Sequence, residues 1–80
     1  MLTAKQRLVR GYGFAIYEDG SRKFDTVAAS YHGDIKAFAA ATFAPEKLDV
    51  ALSTERINET EYRDTLALVG SDEAQAWVGV

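Results

Sequence analysis

The spacing of apolar residues changes along this 80-residue chain, and each change predicts a different element. Between Gly11 and Val27 two aromatic-rich stretches flank Asp19-Gly20, with Tyr12, Phe14 and Ile16 alternating on one side and Phe24 on the other. That pattern predicts a β-hairpin. A two-residue Asp19-Gly20 loop leaves Phe14 opposite Asp25 and mixes the faces. A three-residue loop of Glu18, Asp19 and Gly20 sets Phe14 opposite Phe24 and Tyr12 opposite Thr26. The three-residue loop is therefore expected, with Gly20 supplying the positive φ of a bulge. Tyr12, Phe14, Ile16 and Phe24 then share the buried face, and Tyr17 and Lys23 point outward.

From Ile35 the period lengthens. Ile35, Phe38, Ala39, Thr42 and Phe43 fall at i, i+3, i+4, i+7 and i+8, and alanines at 37, 40, 41 and 44 favour helix by propensity. Asp34 is a suitable N-cap and Pro45 a stop, so a helix is expected over residues 35–44. Beyond it, Leu48, Val50 and Leu52 alternate like a strand, and residues 65–70 and 74–80 read as two strands joined at Gly70-Ser71-Asp72-Glu73. Residues 53–64 fit a helix capped by Ser53 or Thr54 without requiring one, and residues 3–9 fit either a helical turn or an extended arm. The expected fold is α+β: one domain over residues 1–80, an antiparallel sheet with one helix packed on it. Its expected core is Phe14, Ile16, Phe24, Val27, Ile35, Phe38, Phe43, Leu52, Leu66, Leu68 and Val78.

Composition narrows what such a domain does. With 48% apolar and 26% charged residues and one proline, the chain is globular in character. It has no cysteine, which excludes disulfides, thiolate metal sites and thiol nucleophiles. No apolar run approaches the roughly 18 residues of a membrane span, and residues 1–7 lack the apolar core of a secretion signal, so a cytoplasmic location without membrane contact is expected. The net charge of −3 is unevenly spread: residues 1–23 carry +3 and residues 24–80 carry −6. The acidic lobe repels nucleic acid and suits a basic protein groove.

Motifs for catalysis are missing. Gly11-Tyr12-Gly13 opens like a dinucleotide fingerprint, but Ile16 stands where the third glycine belongs. His32 is the only histidine, which rules out a multi-histidine metal site, and no nucleophile elbow, phosphate loop or paired carboxylate occurs at a diagnostic spacing. The expectation is a protein that is not an enzyme and takes no cofactor or metal. Two binding surfaces offer themselves. One is the outer hairpin face with Tyr17, Arg22 and Lys23, an aromatic anchor ringed by basic groups. The other is the acidic stretch of Glu55, Glu59, Glu61 and Asp64, joined by Asp72 and Glu73, whose charges steer a basic partner.

The segment Phe14-Ala-Ile-Tyr-Glu-Asp-Gly-Ser-Arg-Lys-Phe-Asp-Thr-Val27 resembles the opening hairpin of small phage-encoded anti-CRISPR proteins that inhibit type I effector complexes. The resemblance covers about 14 of the 80 residues and stops at Val27. It implies a compact α+β or β-rich module in the host bacterial cytoplasm that binds a Cas effector subunit stoichiometrically and blocks DNA access. It also implies that Tyr17, just before the turn, joins the interface. A monomer that makes no direct contact with nucleic acid is expected on this reading. The alternative is a small nucleic-acid-binding or antitoxin-like regulatory module, with Arg10, Arg22 and Lys23 reaching phosphates beside Tyr17.

Overall fold

A computed structural model describes residues 2–79. The secondary structure of the described residues is all helical, joined by turns, and contains no strand. Helix α1 (Ala4–Phe14) runs on into a π-helical turn at Ala15–Asp19. Two short 3₁₀ turns, Phe24–Thr26 and Ala29–Tyr31, lead into α2 (His32–Thr42). Then come α3 (Pro45–Ser53), α4 (Glu59–Ala67) and the single-turn α5 (Asp72–Gln75). The expected α+β fold with an antiparallel sheet is therefore replaced by an all-helical one.

The chain makes helix where a hairpin was expected because residues 4–19 satisfy a helix at both ends and along one face. Thr3 starts it with a capping box: its Oγ1 accepts the Gln6 N–H at 3.0 Å, and Gln6 Oε1 accepts the Thr3 N–H at 2.8 Å. The buried positions Val9, Gly13, Ile16 and Tyr17 are spaced i, i+4, i+7 and i+8, so the face that packs has helical period. Gly20, at φ 70°, ends the run as a left-handed helix cap, with the Ser21 N–H on the Ala15 carbonyl at 2.9 Å. Gly13 is where α1 meets α2. A Cβ there would lie 2.5 Å from Cδ2 of Phe38, so the missing side chain is the notch that receives the ring.

Helix α2 starts earlier than expected, and Asp34 sits in its first turn instead of at the cap, paired with Lys5 at 3.0 Å. Ile35, Ala37, Phe38, Ala39 and Ala40 are buried. Pro45 both closes this segment and opens the next: Ala44 is extended, as a residue before proline should be, and Pro45 occupies the first turn of α3. Leu48, Ala51 and Leu52 then turn inward at i, i+3 and i+4, while Val50 is exposed, so the expected strand is an amphipathic helix. Neither Ser53 nor Thr54 begins a helix; they end α3. Helix α4 is capped by Asn58, whose Oδ1 accepts the Glu61 N–H at 2.8 Å while Glu61 Oε1 accepts the Asn58 N–H at 2.8 Å. The expected strand at 65–70 is the last turn of α4 and a turn at Gly70, φ 78°. Residues 74–79 of the second expected strand form part of α5 and a following turn, and Val80 lies outside the described residues.

The core lies between α1, α2 and α3 and is rich in aromatic rings. Phe38 meets Phe14, Phe43 and Trp77 edge-on at 5.7, 6.2 and 5.8 Å between centroids, and Tyr17 stacks on Phe43 at 5.7 Å. Ile16, Phe24, Val27, Ile35 and Phe38 are buried as expected, and Phe14, Phe43, Leu52 and Leu68 pack against them half-buried. Leu66 and Val78 are exposed, since α4 turns Thr65 inward and residues 76–79 form a turn instead of a strand. Among the described residues, no helix is long and apolar enough to cross a membrane.

Candidate functional site

The binding residues singled out from sequence are scattered by this fold, with Asp72 and Glu73 on the single-turn α5, and the largest departure is Tyr17. It has no solvent exposure. Its hydroxyl lies 2.6 Å from Thr65 Oγ1, and because that hydroxyl donates to the Glu61 carbonyl at 2.8 Å, Tyr17 is the donor of the first bond. Burial pushes the Tyr17 phenol well above its ordinary range; the charges of Glu61 and Asp64 add to the rise and the Thr65 bond opposes it. Tyr17 is thus a strut between α4 and the π-helical turn that follows α1. The expected exposed anchor does not exist, because the face that a strand would turn outward is the inner face of a helix.

Arg22 is exposed and lies over the ring of Tyr12, 5.3 Å from its centroid. Glu59 is paired with Arg63 one turn along α4, and Asp64 with Lys36 at 2.7 Å. Glu59 and Asp64 are thus engaged in ion pairs, and none of these three lines the cleft formed by the others. The remaining three, Lys23, Glu55 and Glu61, are brought together. They line a cleft of about 420 Å³ between the 23–25 segment and the α3–α4 connection, shared with Phe24, Asp25, Leu52, Arg56, Ile57 and Asn58.

Local structure fixes this cleft. The α3–α4 connection turns at Glu55, which adopts φ 62° and returns the Arg56 N–H to the Ala51 carbonyl at 2.8 Å. A non-glycine residue in that conformation costs about 1 kcal/mol. The turn is clamped from the other side: Lys23 Nζ donates to the Glu55 carbonyl, and Arg56 reaches across to the Tyr17 carbonyl at 3.3 Å. Arg56 also packs against Gly20, where a Cβ would meet its Nε at 3.1 Å. Both cations that line the cleft are therefore turned onto backbone carbonyls. Of its carboxylates, Glu61 accepts the Asn58 N–H in the capping box of α4, and Asp25 and Glu55 are free of ion pairs: the four ion pairs among the described residues involve Asp34, Asp64, Glu18 and Glu59.

Buried Phe24 and Ile57 and half-buried Leu52 give the cleft an apolar base. No group of three or more His, Asp or Glu side chains among the described residues is placed to hold a metal ion. His32, the lone histidine, donates from Nε2 to the Val27 carbonyl at 2.8 Å with its ring edge-on to Phe24 at 5.1 Å, a packing role away from the carboxylates. What the arrangement offers chemically is recognition: acceptor groups round an apolar base. Sequence reasoning passed over Asp25, Arg56 and Asn58. Asn58-x-x-Glu61 is a capping-box pattern, and it marks the start of α4 and with it this edge of the cleft. No protein family, curated protein or solved structure matched the chain.

Proposed function

We propose that this protein is a non-catalytic binding module that docks the acidic cleft between the 23–25 segment and the α3–α4 connection on a basic surface of a protein partner. The observation that carries this reading is the asymmetry of the cleft: its cations are spent on internal carbonyls, while Asp25, Glu55 and Glu61 keep their carboxylates out of ion pairs. A surface so arranged accelerates encounter with a basic partner and repels nucleic acid. Inhibition of a type I CRISPR effector is the narrower form of the proposal. A DNA-binding channel is basic, and a small acidic module suits its occlusion. The hairpin that carried this resemblance is not formed, so charge and size are its support, and Tyr17 has no part in it.

The test is affinity capture of tagged protein from a bacterial lysate, read by mass spectrometry, comparing the parent with Asp25→Lys/Glu55→Lys. A basic protein retained by the parent and lost by the double reversal supports the proposal; identical retention by both contradicts it. A second reading, direct nucleic-acid binding, draws on exposed Arg7, Arg10 and Arg22. Arg10 and Arg22 are held 5.8 and 5.3 Å from the ring centroids of Phe14 and Tyr12. Micromolar binding of random duplex DNA at about 150 mM salt would favour it.

A further inference from the structure

A second concavity lies on another face, between the first turn of α2 and α5. It encloses about 450 Å³ and is lined by Ala37, Leu68, Ala76 and Trp77 on its apolar side and by Asp34 and Glu73, with no basic residue on its wall. Ala37 and Trp77 are buried, so the groove opens onto the edge of the core itself. Asp34 is held by Lys5, but that pair is solvent-exposed on both sides, and exposed pairs of this kind exchange partners readily. Glu73 belongs to no ion pair among the described residues.

We infer that this groove docks an amphipathic basic helix of a protein partner, with an aliphatic side chain seated against Trp77 and Ala76 and a lysine or arginine meeting Glu73 and Asp34. Charge complementarity selects the occupant: both charged groups on the wall are acidic and only Asp34 has an ion-pair partner, so a helix with acidic or neutral flanks leaves Glu73 unanswered, and nucleic acid is repelled. A shallow apolar groove between helices is the usual receptor for one helical face, read by anchors about one turn apart. The inference is independent of the α3–α4 cleft, which lies on other residues.

Trp77 is the only tryptophan, so its emission reports on the groove directly. The probe is an amphipathic helical peptide of leucine and lysine, set against its leucine–glutamate counterpart, followed by Trp77 fluorescence and by backbone amide shifts of labelled protein. Saturable binding of the lysine peptide, with shifts centred on Ala37, Ala76 and Trp77, is expected. Exposed Ala76→Arg, which fills the groove and places a positive charge in it, should weaken that binding about tenfold or more with the helical circular dichroism unchanged. Lys5→Ala, which releases Asp34, should tighten it. Equal binding of the glutamate peptide, indifference to Ala76→Arg, or no saturation by either peptide would overturn the inference. Shifts confined to residues 23–25 and 55–61 would also overturn it while favouring the α3–α4 cleft as the basic-partner site.

Discussion

The α1–α2 crossing and the α3–α4 hairpin both attach one helix to another, and they do so by different means. At the crossing, a glycine notch at Gly13 admits the ring of Phe38, and aromatic edges from Phe14, Phe43 and Trp77 close round it. Almost everything there is apolar. The hairpin is held by its connection: a left-handed turn at Glu55, a capping box at Asn58, and two cations on main-chain carbonyls, Lys23 on that of Glu55 and Arg56 on that of Tyr17 in the π-helical turn. Stability is concentrated in the first region, and the second carries charges that the fold does not consume. In a small domain with net stability on the order of 4 to 12 kcal/mol, the Glu61 carboxylate serves the α4 cap, and the Asp25 and Glu55 carboxylates, in no ion pair, are the charges the proposed docking would use.

The comparison breaks most readily at Phe38. Phe38→Ala should cost about 3 to 5 kcal/mol, measured by urea denaturation, because it empties the centre of the aromatic cluster. A loss under about 1 kcal/mol would mean the crossing is not the core. Gly13→Ala comes next, at about 1 to 3 kcal/mol from overpacking against the same ring. Its decisive form is a double-mutant cycle: in the Phe38→Ala background the clash is gone, and Gly13→Ala should become stabilising by up to about 1 kcal/mol through helix propensity.

Tyr17 joins the two regions, and its response to pH sharpens the contrast. The folded phenol is held above its unfolded value, so above about pH 10 the unfolded chain loses its proton first. Folding then becomes less favourable as pH rises, by about 1.4 kcal/mol per unit for one such group. The contribution is intact below pH 10 and fades above it. Tyr17→Phe should flatten this alkaline decline in denaturant midpoint relative to the parent; an unchanged decline would place Tyr17 in solvent. The smallest stability effect belongs to the hairpin: Asn58→Ala should cost about 1 kcal/mol, as loss of a cap does. A cost equal to that of Phe38→Ala would erase the distinction between the two regions.

Helix α2 was legible because alanine propensity, the i, i+3, i+4 spacing of Ile35, Phe38 and Ala39, and Pro45 all favour the same element. Helix α1 was misread for two physical reasons. Tyr12, Phe14 and Ile16 alternate by chance of composition, while the helical face of Val9, Gly13, Ile16 and Tyr17 contains a glycine, which registers as a breaker unless the ring it receives is known. Asp19-Gly20 is the second reason: a positive φ serves a hairpin bulge and a helix C-cap equally, and only tertiary packing distinguishes them. Of the site, Lys23, Glu55 and Glu61 were named from sequence. Asp25 was not, since the proximity of residues 23–25 to 55–61 is a product of the fold with no local signature.

The functional claim is tested most directly by removing cleft charge without touching a cap or a core side chain. Asp25→Asn/Glu55→Gln leaves the Lys23 bond to the Glu55 carbonyl and the Asn58–Glu61 box in place, so its urea midpoint should match or exceed the parent's. Partner retention from lysate should nevertheless fall about tenfold, as loss of complementary interface charge predicts. Full retention by this variant, or retention lost only in step with stability, would contradict the account.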